Sequence, residues 1–168
     1  MPLRGTGGEP IDFARTLRSH GCAELPPASI PEDNSYYAVA LRLGAQVRRV
    51  TITAHDGELI ISVAGRRPAA QALTQLTRAV RRMFRLDEDF APFSAAIEND
   101  PQLSWATKGA GRMLASPTVF EDVVKTICTT NCAWSGTARM VSALVEKLGG
   151  GAFPDAAVMA KAPASFYR

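Results

Sequence analysis

Residues 37–64 read YAVALRLGAQVRRVTITAHDGELIISVA, and the reading of this stretch decides the fold. Side chains of a strand alternate between its two faces, so a half-buried strand alternates apolar and other residues. Tyr37, Val39, Leu41 and Leu43 share one side of a first segment. Val50 and Ile52 oppose Arg49, Thr51 and Thr53 in a second, Val47 to Ala54. Leu59 to Ala64 is apolar and β-branched. Asp56-Gly57 signals a tight hairpin turn between the last two, because Gly takes positive φ without a Cβ clash. The stretch predicts an antiparallel meander.

Upstream, Asp12 to His20 predicts a short helix with Phe13 and Leu17 on one face and Gly21 as its cap. Pro26, Pro27 and Pro31 force an extended connection after it. Residues 1–10 are Gly-rich and polar and read as a loose leader. They have no apolar core behind Arg4, so a secretory signal is not expected. Downstream, Pro68 opens a helix to about Leu86 with Leu73, Leu76, Val80, Met83 and Phe84 as its apolar stripe. Phe90, Phe93 and Ile97 mark a second, closed by Asn99-Asp100-Pro101. Thr118 to Thr129 is the clearest helix. Thr118 and Glu121 form a capping-box pattern, and Phe120, Val123, Val124, Ile127 and Cys128 keep helical spacing along one face. After a break at Asn131–Trp134, a helix from Ser135 to Leu148 carries Met140, Val141, Leu144, Val145 and Leu148 on its apolar face. Gly149-Gly150-Gly151 ends it, and Pro154 and Pro163 bracket one more short helix. Sheet first and helices after give an α+β class. The expected divisions are a sheet part at 1–66, a connecting helix at 67–87 and a helical part at 88–168.

The 168 residues are 46% hydrophobic and 21% charged, a globular composition rather than a disordered one. No apolar run nears the roughly 20 residues of a membrane-spanning helix. The expected compartment is the cytosol or a nucleoplasm. Residues 1–65 carry net −1 and residues 66–168 net +4, which add to the chain's +3. Arg66, Arg67, Arg78, Arg81, Arg82 and Arg85 fall within one stretch that has no acid. Such a stretch suits a phosphate backbone, and equally a solvated helix face. Cys22, Cys128 and Cys132 make no disulfide framework. Cys128 and Cys132, four apart, face along one helix as small, semi-buried side chains, and with His20 and His55 no spacing suggests a zinc site.

Several segments, in order, resemble the helix-hairpin-helix DNA glycosylase superfamily, in its branch of 3-methyladenine and 8-oxoguanine enzymes. One is the Arg-rich segment Val80 to Phe90 followed by Pro92-Phe93, which in that branch leads from the sheet domain into the helical domain. Another is Pro117-Thr118-Val119-Phe120-Glu121 with Ile127, matching the first core helix. The third is Ile127-Cys128-Thr129-Thr130-Asn131-Cys132-Ala133-Trp134 followed by Thr137 to Met140. It resembles the loop where the 8-oxoguanine enzymes carry an Asn-containing turn. Phe153-Pro154-Asp155 matches the start of the next helix. Leu17 to Gly21 with Leu25-Pro26-Pro27 fits the N-terminal, TBP-like sheet domain. The resemblance spans about residues 12–168. It departs in one respect: the helix-hairpin-helix and the catalytic Asp fall beyond Arg168, so no catalytic residue is expected here.

The resemblance implies base excision on double-stranded DNA containing a damaged base, by a monomer, without cofactor or metal. Base extrusion costs a few kcal/mol and leaves a gap to plug. Asn131, with an amide that both donates and accepts, is the candidate plug, and Cys132 and Trp134 flank it. Asn131 also suits a left-handed turn or helix cap, and Trp134 suits a core. Arg112 and Arg139 are candidate phosphate contacts. Glu121 and Asp122 are carboxylates at a helix N-terminus, where acids are favoured in any case. The alternatives are a non-catalytic DNA-binding module and a protein-interaction domain. Phosphate binding weakens steeply with salt and separates these two.

Overall fold

The structure, a computed structural model, describes residues 1–167. Four antiparallel strands lie in sequence order: β1 (Ala28–Ser29), β2 (Tyr37–Leu43), β3 (Gln46–His55) and β4 (Glu58–Val63). The meander is as the alternation predicts, with Val39 opposite Val50 and Ile52 opposite Ile61. Asp56 and Gly57 both have positive φ, 49° and 74°, as a two-residue hairpin turn requires. The face bearing Tyr37, Val39, Leu41, Val50, Ile52 and Leu59 is buried under α1 (Phe13–Leu17) and α2 (Ala70–Met83). From α2, Leu76, Val80 and Met83 enter this core. Phe84 sits at its centre, stacked on Phe13 at 5.6 Å and edge-on to Tyr37 at 6.4 Å.

The helix over 68–86 ends earlier than its pattern. Arg85 turns left-handed (φ 52°), and the Arg85 and Leu86 amides bond back to the carbonyls of Arg82 and Arg81 at 3.0 and 2.9 Å. This closes the helix as a Schellman motif, with Arg where Gly is usual. Residues 1–10 are not a loose leader. Leu3 and Ile11 are buried, and residues 1–3 run beside 57–59, with Leu3 N donating to the Gly57 carbonyl at 2.8 Å. Two apolar anchors give the Gly-rich segment enough burial to order it.

The helical part holds α3 (Ala91–Ile97), α4 (Val119–Cys128), α5 (Trp134–Ala143) and α6 (Ala156–Lys161). α5 continues into one π-helical turn at Leu144–Leu148, whose Leu144 carbonyl accepts from Gly149 N at 2.9 Å. Polar contacts stitch the chain around the later helices to α2, to the end of α1 and to β2. Ala115 N donates to the Met83 carbonyl (2.9 Å), Leu114 N to Ser19 Oγ (2.9 Å), and Arg42 Nη2 to the Gly149 carbonyl (2.5 Å). Among the described residues no helix is long and apolar enough to cross a membrane.

α4 does not sit as its stripe predicts. Thr118 Oγ1 accepts from Glu121 N at 3.1 Å, one half of the capping box. The Glu121 carboxylate does not reach back. It turns inward to Lys125 Nζ at 2.7 Å, and both side chains are 5% exposed. Val119, Val123 and Ile127 face outward at 62, 50 and 61% exposure. The Glu121–Lys125 pair therefore lies on the inner side, where Lys125 also donates to the Leu25 carbonyl at 3.4 Å and lies 5.8 Å from the Phe153 ring centroid.

Candidate nucleic-acid interface

The turn between α4 and α5 is assembled by local hydrogen bonds. Thr129 N and Thr130 N donate to the carbonyls of Thr126 and Ile127 at 3.0 and 3.1 Å, and both threonine hydroxyls repeat those bonds at 2.7 and 2.8 Å. The Cys128 carbonyl, last in α4, accepts from Thr137 Oγ1 (2.8 Å) and from Cys132 Sγ (3.1 Å). Thr137 is buried and lies in the first turns of α5, so this carbonyl fastens one helix to the other. Asn131 stands at the apex with φ 53°, exposed, and its amide has no partner among the described residues. Left-handed backbone is more accessible to Asn than to most residues. The cap role and an outward-facing amide are therefore both present in one residue.

Cys132 lies past the end of α4, and its thiol bonds the Cys128 carbonyl across the turn, so the two cysteines do not face along one helix. Burial, and secondarily the neighbouring Cys132, pushes the Cys128 thiol up from its ordinary value. It is a neutral packing group, since nucleophilic cysteines have a lowered pKa. Among the described residues no three His, Cys, Asp or Glu cluster as metal ligands would.

Trp134 is half-exposed rather than core, with its ring edge resting on Gly21. Arg139 is exposed and has no carboxylate partner among the described residues. Arg112 is placed otherwise than a phosphate contact requires. It is 3% exposed, and its guanidinium bonds Glu9 Oε1 and the carbonyls of Arg85 and Glu88, the last at 2.9 Å. The Phe90 ring centroid lies 4.3 Å from its Cζ. Arg112 is a structural clamp between the N-terminal segment and the chain around α3. Its carboxylate partner is 103 residues away in sequence, and no local pattern announces it.

The Arg-rich stretch divides in two. Arg81 pairs with Asp87, Arg82 with Asp122 at 2.6 Å, and Arg85 with Glu88 at 2.7 Å. Arg66, Arg67 and Arg78 are exposed and have no carboxylate within 4.0 Å among the described residues. Sequence reasoning missed two further arginines near them, Arg42 and Arg48, which come from the strands.

No family model and no curated protein matches the chain. A solved structure, the 3-methyladenine DNA glycosylase from Archaeoglobus fulgidus, is similar in fold with a TM-score of 0.62 at 13% identity. The likeness covers 83% of this chain and 48% of that one, so the chain spans about half the length of that structure. The fold is α+β and like that of a DNA glycosylase, with the sheet leading into helices in the same order as the sequence.

Proposed function

We propose that the chain is a DNA-engaging part of a base-excision glycosylase, an enzyme that hydrolyses the N-glycosidic bond of a damaged base flipped from duplex DNA. It engages DNA as a monomer, its sheet part (1–66) and connecting helix (67–87) supporting a helical part (88–168). The observation that carries this reading is Asn131. An unpartnered amide sits on a left-handed apex that two packed helices hold rigid. A rigid, hydrogen-bonding tip of this kind can fill the gap left by a flipped base and bond the widowed partner. Trp134 and Cys132 flank the apex, and Arg139 supplies a nearby free cation for a phosphate.

Binding is compared on two duplexes by fluorescence anisotropy, one undamaged and one with a central abasic-site analogue. The wild type is expected to prefer the abasic duplex. Asn131→Ala and Asn131→Gly should each lose that preference, by roughly three- to tenfold for one net hydrogen bond. The Gly variant keeps the left-handed backbone, so its loss reports the amide alone. Equal wild-type affinity for both duplexes sinks the reading, and so does a preference that survives both substitutions.

A non-catalytic DNA-binding module is the second reading, and the two carboxylates of α4 favour it. Bond cleavage needs an acid free to stabilise a cationic sugar or position water. Glu121 is held by Lys125 and Asp122 by Arg82. Release of free base from 3-methyladenine or 8-oxoguanine duplexes by a longer chain that contains this one would exclude the second reading.

A further inference from the structure

We infer that one end of the sheet part is a second phosphate-gripping surface, separate from the Asn131 turn. The β2–β3 turn, residues 64–67 and α2 as far as Arg78 form it. It takes the backbone of duplex DNA flanking the site, and in naming DNA it rests on the reading above.

Five arginines lie on these segments, Arg42 and Arg48 on opposite faces of the sheet beside its turn, with Arg66, Arg67 and Arg78 on the chain next to it. Arg42 and Arg48 flank the β2–β3 turn, opposite Val47 and Leu41. Arg48 Nη1 donates to the Ala64 carbonyl at 3.2 Å, directly before Arg66 and Arg67. Gln75 of α2 accepts from Gly44 N at 3.0 Å, which pins the turn against the helix that carries Arg78. Arg42 and Arg78 line one open cavity of about 440 Å³.

The charge of this group is not cancelled as it is at Arg81, Arg82, Arg85 and Arg112. Arg42 and Arg48 bond only neutral oxygens, and no carboxylate lies within 4.0 Å of any of the five among the described residues. Carbonyl acceptors orient a guanidinium without cancelling its charge. Glu121 and Asp155 share the cavity, but Glu121 is paired with Lys125 and Asp155 caps α6, accepting from Val158 N at 2.8 Å. Arginine forks match phosphate oxygens bidentately. None of the exposed large hydrophobics falls in residues 42–50 or 64–78. A membrane-inserting surface or a protein hot spot would carry some there. Thr118 at one end of α4 lines the cavity, and the Asn131 turn follows the other end. Ten helical residues separate the two by about 15 Å. That is about four base-pair steps, within one duplex's reach.

The test compares the wild type with Arg66→Ser/Arg67→Ser/Arg78→Ser and with a charge-matched control, Lys108→Ser/Lys147→Ser/Lys161→Ser. Affinity for undamaged and abasic 30-base-pair duplexes is followed from about 50 to 200 mM salt, the range over which phosphate contacts are resolved. The arginine variant should lose about two to three units of the log–log salt slope. It should weaken binding to both duplexes by the same factor, with the abasic preference intact. The lysine control should keep the wild-type slope. An unchanged slope in the arginine variant, or an equal loss in the lysine control, overturns the inference. Equal arginine-dependent binding to phosphatidylserine vesicles overturns the assignment to DNA. If abasic preference is absent from every variant while the arginine variant alone loses slope, the Asn131 reading fails and the arginine surface stands.

Discussion

At the scale of single residues, the Glu9–Arg112 pair shows how burial changes what a charge does. Burial raises the Glu9 carboxyl, but the Phe90 amide at 2.8 Å and the Arg112 guanidinium outweigh it and hold its pKa below 4.5. A carboxyl whose folded pKa is depressed binds fewer protons folded than unfolded. Its contribution is complete above about pH 4.5 and is lost as pH falls through the lower folded value. Arg112→Met strands a buried carboxylate and should cost about 3–5 kcal/mol near neutral pH. Urea unfolding at pH 7 and pH 3.5 checks this, since protonating Glu9 should shrink the loss. An equal loss at both pH values would show that packing of the side chain, not its charge, holds the site. Neither Glu9 nor Arg112 was legible as a clamp. A surface Arg and a buried one read alike until the fold brings its partner in.

At the scale of elements, legibility divides between sheet and helix. The strands were legible because alternation and the Asp56-Gly57 turn are local and agree with the burial of one face. The orientation of α4 was not, because an i,i+4 Glu–Lys pair reads as a solvent-facing ion pair. Here Glu121 and Lys125 are enclosed, and burial, offset partly by Lys125, pushes the Glu121 carboxyl up. Removing one partner of a buried pair is far worse than replacing both with apolar residues. Lys125→Met should cost about 3–5 kcal/mol, and Glu121→Leu/Lys125→Met should return to within about 1 kcal/mol of wild type. Thermal unfolding of the wild type and the two variants decides it. A double variant as unstable as the single one would mean that the pair itself holds α4 in place. The Asn131 turn was half legible: the residue and its left-handed tendency are in the sequence. The fastening through Thr137 and the Cys128 carbonyl needs both helices in place.

At the scale of the whole molecule, the outward apolar residues of α4 dominate. Val119, Val123 and Ile127 lie one turn apart on an exposed helix, an arrangement that favours association. Val123→Gln/Ile127→Gln should raise the concentration at which the chain stays monodisperse in light scattering. Because both side chains face solvent, the unfolding midpoint should move by no more than the equivalent of about 0.5 kcal/mol. A larger fall would mean that these side chains are buried in solution.

The π-helical turn at Leu144–Leu148 sets the phase of the chain after it. A π turn closes one residue later than an α turn. Deleting one residue there would let α5 run on as a regular helix, rotating the downstream segment by about 100° relative to the sheet. The Gly149 carbonyl would swing off Arg42, and the walls that Phe153 and Asp155 give the arginine cavity would turn with it. This single extra residue is thus a phase adjuster: it aligns the end of a helix grown from the Asn131 turn with the strand that carries Arg42.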